Sequence, residues 1–288
     1  MADFVTTDRD AENHVGYITL DRADRGNAFD GVMVRQFCNA LTAHEQDDAI
    51  KAIVLRARGA HFSVGTDLAE LAEMFRPEPA QPGKKRKLLN QRVRLARGRD
   101  LWWGPEGLCQ RLLNCPKITV VAAHGDCLET GLYFALYADL TVADDSARFG
   151  NPKWAQIGVD GDISMLVAAV GLRRGKELIF CNRIWSAEQA LAYGLVDAAV
   201  APERLEEEAF QLARDCATIM RDAIAAEKAV VMASLARMQV SMGLAAGAVL
   251  SGWATNVHFR EGEFNMLKAV RDHGEDEAIA LARRHFQV

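Results

Sequence analysis

Ala52-Ile53-Val54-Leu55 is a short, wholly apolar run, and Ala60-His61-Phe62-Ser63-Val64-Gly65-Thr66-Asp67-Leu68 follows directly after it. A run of that length and character reads as a strand buried on both faces, as in a parallel sheet. Working outward, Val15-Gly16-Tyr17-Ile18-Thr19-Leu20 reads as a strand that ends in a polar, charged turn from Asp21 to Asn27. Val32, Phe37 and Leu41 give Val32 to His44 helical spacing, and Ile118 to Ala123 and Leu140 to Ala143 repeat the buried-strand pattern. This alternation predicts an α/β layered fold rather than a helical bundle. From Gly171 onward the pattern is mostly helical, as in Leu205 to Met220 and Ala223 to Met238, with one strand signal at Val196 to Val200.

The 288 residues are 50% hydrophobic and 25% charged, enough for one α/β core with extensions. A net charge of −5 points to neither nucleic acid nor a membrane surface. No apolar run of about 18 residues exists to span a bilayer. Met1 to Val5 lacks the organisation of a signal peptide. The six cysteines show no CxxC pair or zinc spacing, so reduced thiols in a cytoplasmic protein are expected. Pro77, Pro79, Pro82 and Gly83 mark an irregular stretch, followed by basic residues from Lys84 to Arg99 with no acid among them. That run reads as a solvated helical face or as a rim for a phosphate-bearing ligand. There is no P-loop, GxGxxG, GxSxG or HExxH, and no histidine pair at i, i+4, so no metal, nucleotide or serine-hydrolase site is expected.

Three stretches carry the chemistry: Ala60 to Leu68, His124-Gly125-Asp126-Cys127-Leu128-Glu129-Thr130-Gly131-Leu132, and Ala147-Arg148-Phe149-Gly150-Asn151-Pro152-Lys153. The first two are strand-to-loop-to-helix junctions, where unpaired amides meet a partly positive helix start. Two such junctions can hold a developing oxyanion, each donor being worth roughly 2.7–4 kcal/mol of transition-state stabilisation. Taken alone, these are also ordinary βα turns with glycines for backbone freedom.

Further matches resemble the crotonase (enoyl-CoA hydratase/isomerase) superfamily over about Val15 to Pro202. Ile18-Thr19-Leu20-Asp21-Arg22 with Asn27-Ala28 looks like its N-terminal pattern, and Phe62 to Leu68 resembles its FSAGADL signature. Ala135-Leu136-Tyr137-Ala138-Asp139-Leu140 resembles ALACDI, and Ser186 to Ala190 with Gly194-Leu195-Val196 is similar to SAxEA…GLV. The resemblance implies a spiral of repeated β-β-α units over residues 1–202. A C-terminal helical trimerisation region would cover 203–288, giving a homotrimer or dimer of trimers. It implies a coenzyme A thioester as substrate and no tightly bound cofactor. Val64 and Thr130 would supply the two amide donors. Arg25 and the Thr66-Asp67-Leu68 backbone would cradle the CoA nucleotide.

Departures from the family bear on the reaction. The two glutamates of the hydratases would fall at Tyr133 and Lys153, neither a carboxylate. Glu129-Thr130-Gly131 stands where the family has a glycine triplet, bringing Glu129 near the site. Trp154 and Asp162 with the intervening Ile157-Gly158 resemble a stretch of the 4-chlorobenzoyl-CoA dehalogenases. The position is also similar to the catalytic aspartate of the 6-oxocamphor hydrolases. Asp162 is thus a candidate nucleophile or proton relay, or the N-cap of the apolar segment that follows. Tyr133 is a candidate hydrogen-bond donor or a core residue, and Lys153 a base if buried. Trp102, Trp103 and Trp154 suggest a bulky acyl pocket or core. The resulting readings are an acyl-CoA enzyme with altered acid–base groups, an aspartate-dependent hydrolase, dehalogenase or C–C hydrolase, and a non-catalytic acyl-CoA binder.

Overall fold

The computed structural model describes residues 3–74, 96, 98–157, 163–253 and 259–286. Its strands are β1 (Val5–Asp10), β2 (Val15–Leu20), β3 (Ala52–Ala57), β4 (Ile118–Ala123), β5 (Asp126–Leu128), β6 (Leu140–Asp144), β7 (Arg148–Gly150), β8 (Ile184–Ser186) and β9 (Ala198–Val200). The helices are α1 (Gly31–Gln46), α2 (Leu68–Met74), α3 (Leu108–Leu113), α4 (Thr130–Tyr137), α5 (Lys153–Ile157), α6 (Ser164–Phe180) and α7 (Ala187–Ala192). They continue with α8 (Leu205–Ala217), α9 (Arg221–Arg237), α10 (Val240–Trp253), α11 (Met266–His273) and α12 (Glu275–Phe286).

The strands read from the sequence form one sheet in the order β1-β2-β3-β4-β6-β9, in which the edge strand β1 is an addition that the sequence reading lacks. All neighbours in it are parallel except β1 and β2. One face packs on α8, whose Ala209, Ala213 and Ala217 recur every four residues and meet Val54, Val120 and Val142. The helix start at α1 follows from Asp30, whose side chain accepts the Val32 and Met33 N–H groups. The opposite face holds the main core, where Phe134 of α4 makes edge contacts with Phe37 at 4.9 Å and Phe62 at 5.3 Å. That packing fixes α4, and with it the position of Thr130 at its start.

A second, smaller sheet, β5-β7-β8, has no counterpart in the sequence reading. Its strands have only three residues each, too few for periodicity to show. The tail does not act as one unit. Helix α8 belongs to the sheet layer, whereas α11 and α12 pack on α2 of the same chain through Leu71, Met266, Ala269, Ala278 and Ala282. Among the described residues no single helix is long and apolar enough to cross a membrane. The basic run from Lys84 to Arg97 lies outside the described residues, apart from Ala96.

Candidate active site

The small sheet brings the site together. Strands β5 and β7 pair in parallel with Asp126 opposite Arg148 and Leu128 opposite Gly150. Adjacent positions in that register place two opposite charges side by side, and Arg148 Nε donates to Asp126 Oδ1 at 2.8 Å. Just past the strand ends, Glu129 and Lys153 meet in the same way, with Lys153 Nζ 2.8 Å from Glu129 Oε1. The Glu129 N–H donates to the Gly150 carbonyl at 2.9 Å, which locks the two chain segments where they diverge.

The loop from β3 to α2 closes the other side. Ser63 N–H donates to the Asp126 carbonyl (3.0 Å) and Leu128 N–H to the Ser63 carbonyl (2.9 Å), tying this loop to β5. Asn27 holds the turn beneath, with its amide Nδ2 donating to the Arg58 and His61 carbonyls at 2.8 Å each. Gly131 fits because a Cβ there would lie 2.7 Å from the Ser63 carbonyl oxygen.

Glu129 is the centre of the resulting cluster. Its carboxylate accepts the Thr66 backbone N–H, the Thr66 hydroxyl (2.9 Å to Oε1, 2.8 Å to Oε2) and the Thr130 hydroxyl (2.8 Å). The residue is 4% exposed. Burial pushes its carboxyl up, but the Lys153 charge and hydrogen bonds from Lys153, Thr66 and Thr130 outweigh this, holding it below the usual carboxylate range. A cavity of about 450 Å³ opens onto the cluster. Val64, Thr66, Leu68, Glu129, Arg148 and Lys153 line it, and Met266, Glu275, Ile279 and Arg283 close it from α11 and α12.

The structure sorts the candidate residues. Thr66, Glu129 and Lys153 are brought together, and Thr130, the first residue of α4, joins them through its hydroxyl. The expectation for Val64 is corrected: its N–H donates at 3.0 Å to the Gly26 carbonyl of the turn after β2, so it is spent on the scaffold. The side chain of Val64 faces the cavity, and the amide that reaches the carboxylate belongs to Thr66, two residues on. Asp67 is held by the scaffold as well. Its carboxylate accepts the Glu70 N–H of α2 (3.0 Å) and pairs with Arg22 (2.8 Å), while its own N–H donates to the Phe29 carbonyl (2.9 Å), so it builds the loop.

Arg25 is engaged by Glu275 of α12, and Leu68 lines the cavity wall. Tyr133 is buried away from the cavity lining, accepting from Asn151 Nδ2 (3.3 Å) and meeting the Trp103 ring edge-on at 5.1 Å. Trp102 packs on Phe29, and Trp102 and Trp103 both belong to the main core cluster. Asp162 lies outside the described residues, as does the side chain of Trp154. The sequence reading did not single out Gln156 or Arg283 as site residues; the only advance signal for the Asp126–Arg148 pair was membership of the second and third stretches. Among the described residues no group of three His, Cys, Asp or Glu side chains is close enough to hold a metal ion.

The fold is of the crotonase type, an α/β core, and its strand-to-helix junctions here converge on one cavity. The solved structure of an enoyl-CoA hydratase/isomerase from Xanthobacter autotrophicus Py2 superposes with a TM-score of 0.81 at 26% identity, covering 99% of this chain and 98% of that one. A putative enoyl-CoA hydratase of Thermus thermophilus is 32% identical over 84% of this chain and 89% of its own length. A 4-chlorobenzoyl coenzyme A dehalogenase of an Arthrobacter species is 31% identical over 70% of this chain and 69% of its own. The family model described as enoyl-CoA hydratase/isomerase matches residues 10–266, and the chain belongs to that family.

Proposed function

We propose that the chain binds an acyl-CoA thioester in this cavity and catalyses proton abstraction next to the thioester carbonyl. The Thr66 and Thr130 N–H groups receive the carbonyl oxygen, and Glu129 takes the proton. The observation that carries this reading is a buried carboxylate, kept ionised by Lys153, lying against the Thr66 N–H at the cavity wall. Amide donors stabilise the enolate oxygen as charge develops there, while an ionised carboxylate beside them is the base the reaction needs. Lys153 holds that carboxylate in place. Tyr133 and Lys153, standing where the resemblance implies the hydratase glutamates, favour enolate chemistry over addition of water to a double bond.

The test is exchange of α-protons of butyryl-CoA and phenylacetyl-CoA in deuterated water, followed by mass spectrometry, with crotonyl-CoA hydration assayed in parallel. Exchange by the wild type and a fall of about 10²–10⁴-fold in Glu129→Gln are expected. Exchange that survives the substitution, or hydration faster than exchange, would overturn the reading.

The same reading includes self-association as a trimer or dimer of trimers. Val230, Val231, Met238, Met242 and Val249 on and between α9 and α10 are 55–66% exposed, an apolar surface that supports a partner subunit there. Sedimentation of the intact chain as a monomer at micromolar concentration would contradict it.

A further inference from the structure

The place that this reading gives the thioester oxygen is filled by the chain itself. Glu129 Oε2 accepts the Thr66 N–H together with the hydroxyls of Thr66 and Thr130, and Oε1 remains on Lys153 Nζ at 2.8 Å. Space behind the carboxylate is closed: a Cβ on Gly65 would lie 2.8 Å from Oε2 and 3.1 Å from the Glu129 Cβ. The Glu129 backbone sits at φ 47° and ψ −97°, a conformation that residues with side chains adopt only when their surroundings impose it. A neutral thioester carbonyl is a weaker acceptor than a carboxylate and cannot share the Thr66 N–H with it at full strength.

We propose that Glu129 is an internal ligand of the amide seat and the residue that sets the preference for acyl-CoA over free CoA. The inference rests on the reading that Thr66 N–H receives the acyl oxygen. An acyl group gains affinity over CoA only by the excess of its own contacts over those that Glu129 gives up. Lys153 anchors Oε1 while Oε2 is displaced, so the departing carboxylate stays beside the cavity instead of leaving it. Free CoA lacks the thioester carbonyl, has no acyl oxygen to offer the seat and leaves Glu129 where it is.

Calorimetric titration of the full chain with CoA and with butyryl-CoA gives the ratio of the two dissociation constants, compared between wild type, Glu129→Gly and Thr66→Val. Glu129→Gly empties the seat and allows the positive φ, and the preference for butyryl-CoA is expected to rise by roughly tenfold. Thr66→Val keeps the backbone donor but removes the hydroxyl that grips both carboxylate oxygens, so a smaller rise in the same direction is expected. It also serves if the first variant fails to fold. Binding of CoA with an unchanged ratio in both variants would overturn the role of Glu129 while leaving the acyl-CoA reading intact. Failure of every protein to bind CoA or butyryl-CoA would remove that reading and this inference with it.

Discussion

Between Ser63 and Leu68 the chain turns from strand to helix on a glycine, Gly65 at φ 109°, whereas between Leu128 and Thr130 it makes the corresponding turn on Glu129 at φ 47°. Apart from Thr66, which donates to Glu129, the first junction spends its polar groups on the surrounding scaffold. Ser63 Oγ donates to the Asn27 carbonyl, Asp67 caps α2, and the Val64 and Asp67 amides donate to the Gly26 and Phe29 carbonyls of the connection between β2 and α1. The second spends a charged side chain on the cavity and puts it where glycine would be unstrained. Backbone strain of this kind costs about 1–3 kcal/mol and persists where the surroundings over-determine it. The contrast therefore marks the second junction as the place where the chain holds a charged group, with Thr66 of the first donating to it.

The largest effect should come from removing the cation that justifies the second junction. Lys153→Met leaves Glu129 buried without its partner, and unfolding in urea should show a loss of about 3–5 kcal/mol, the usual consequence of breaking a buried pair from one side. At the first junction, Gly65→Ala demands a positive φ from a residue with a Cβ and drives that Cβ against Glu129. A loss of roughly 1–3 kcal/mol in the same assay is expected, and a neutral result would show that the two loops are not in register as described.

Strain at Glu129 can be isolated by comparing Glu129→Gly with Glu129→Ala, since both lose the carboxylate and only the glycine variant is free of the φ penalty. The glycine variant should be the more stable by about 1 kcal/mol. The charge can be isolated by pH. Because the folded carboxyl lies below its ordinary value of 4.5, its contribution to stability is complete above about pH 4.5 and is lost as pH falls through the folded value. The melting temperatures of wild type and Glu129→Gln should therefore converge on acidification from pH 7, and a constant gap would argue against the pairing. The smallest effect is expected at Arg25→Ala. That arginine is 38% exposed and bridges Glu275 and Asp67 across the cavity rim, a surface arrangement worth about 0.2–1 kcal/mol in thermal unfolding.

Much of the architecture was legible without coordinates. The apolar runs at Val15, Ala52, Ile118 and Leu140 mark the parallel strands because a strand covered on both faces has to be apolar at every position. Asp30 before α1 and Ser186 before α7 mark helix starts because their side chains accept amides that the helix cannot satisfy itself. The segments Ala60 to Leu68 and His124 to Leu132 were identifiable as a pair of junctions, and Glu129 and Lys153 as side chains of interest within reach of them.

Which groups in those junctions face one another depended on the tertiary structure. Whether Val64 or Thr66 offers its amide is decided by a turn that consumes one N–H at the Gly26 carbonyl and leaves the next for the carboxylate, and backbone direction leaves no trace in side-chain identity. The pairing of Glu129 with Lys153 comes from the register of two three-residue strands, too short to carry a periodic signal. The edge-on packing of Trp102 on Phe29 and of Trp103 on Tyr133 in the core is likewise a matter of tertiary contacts. Sequence by itself determined the layers, because burial acts on every residue of a strand at once. Tertiary structure decided the site, because a site is made by single atoms from segments that are far apart in the chain.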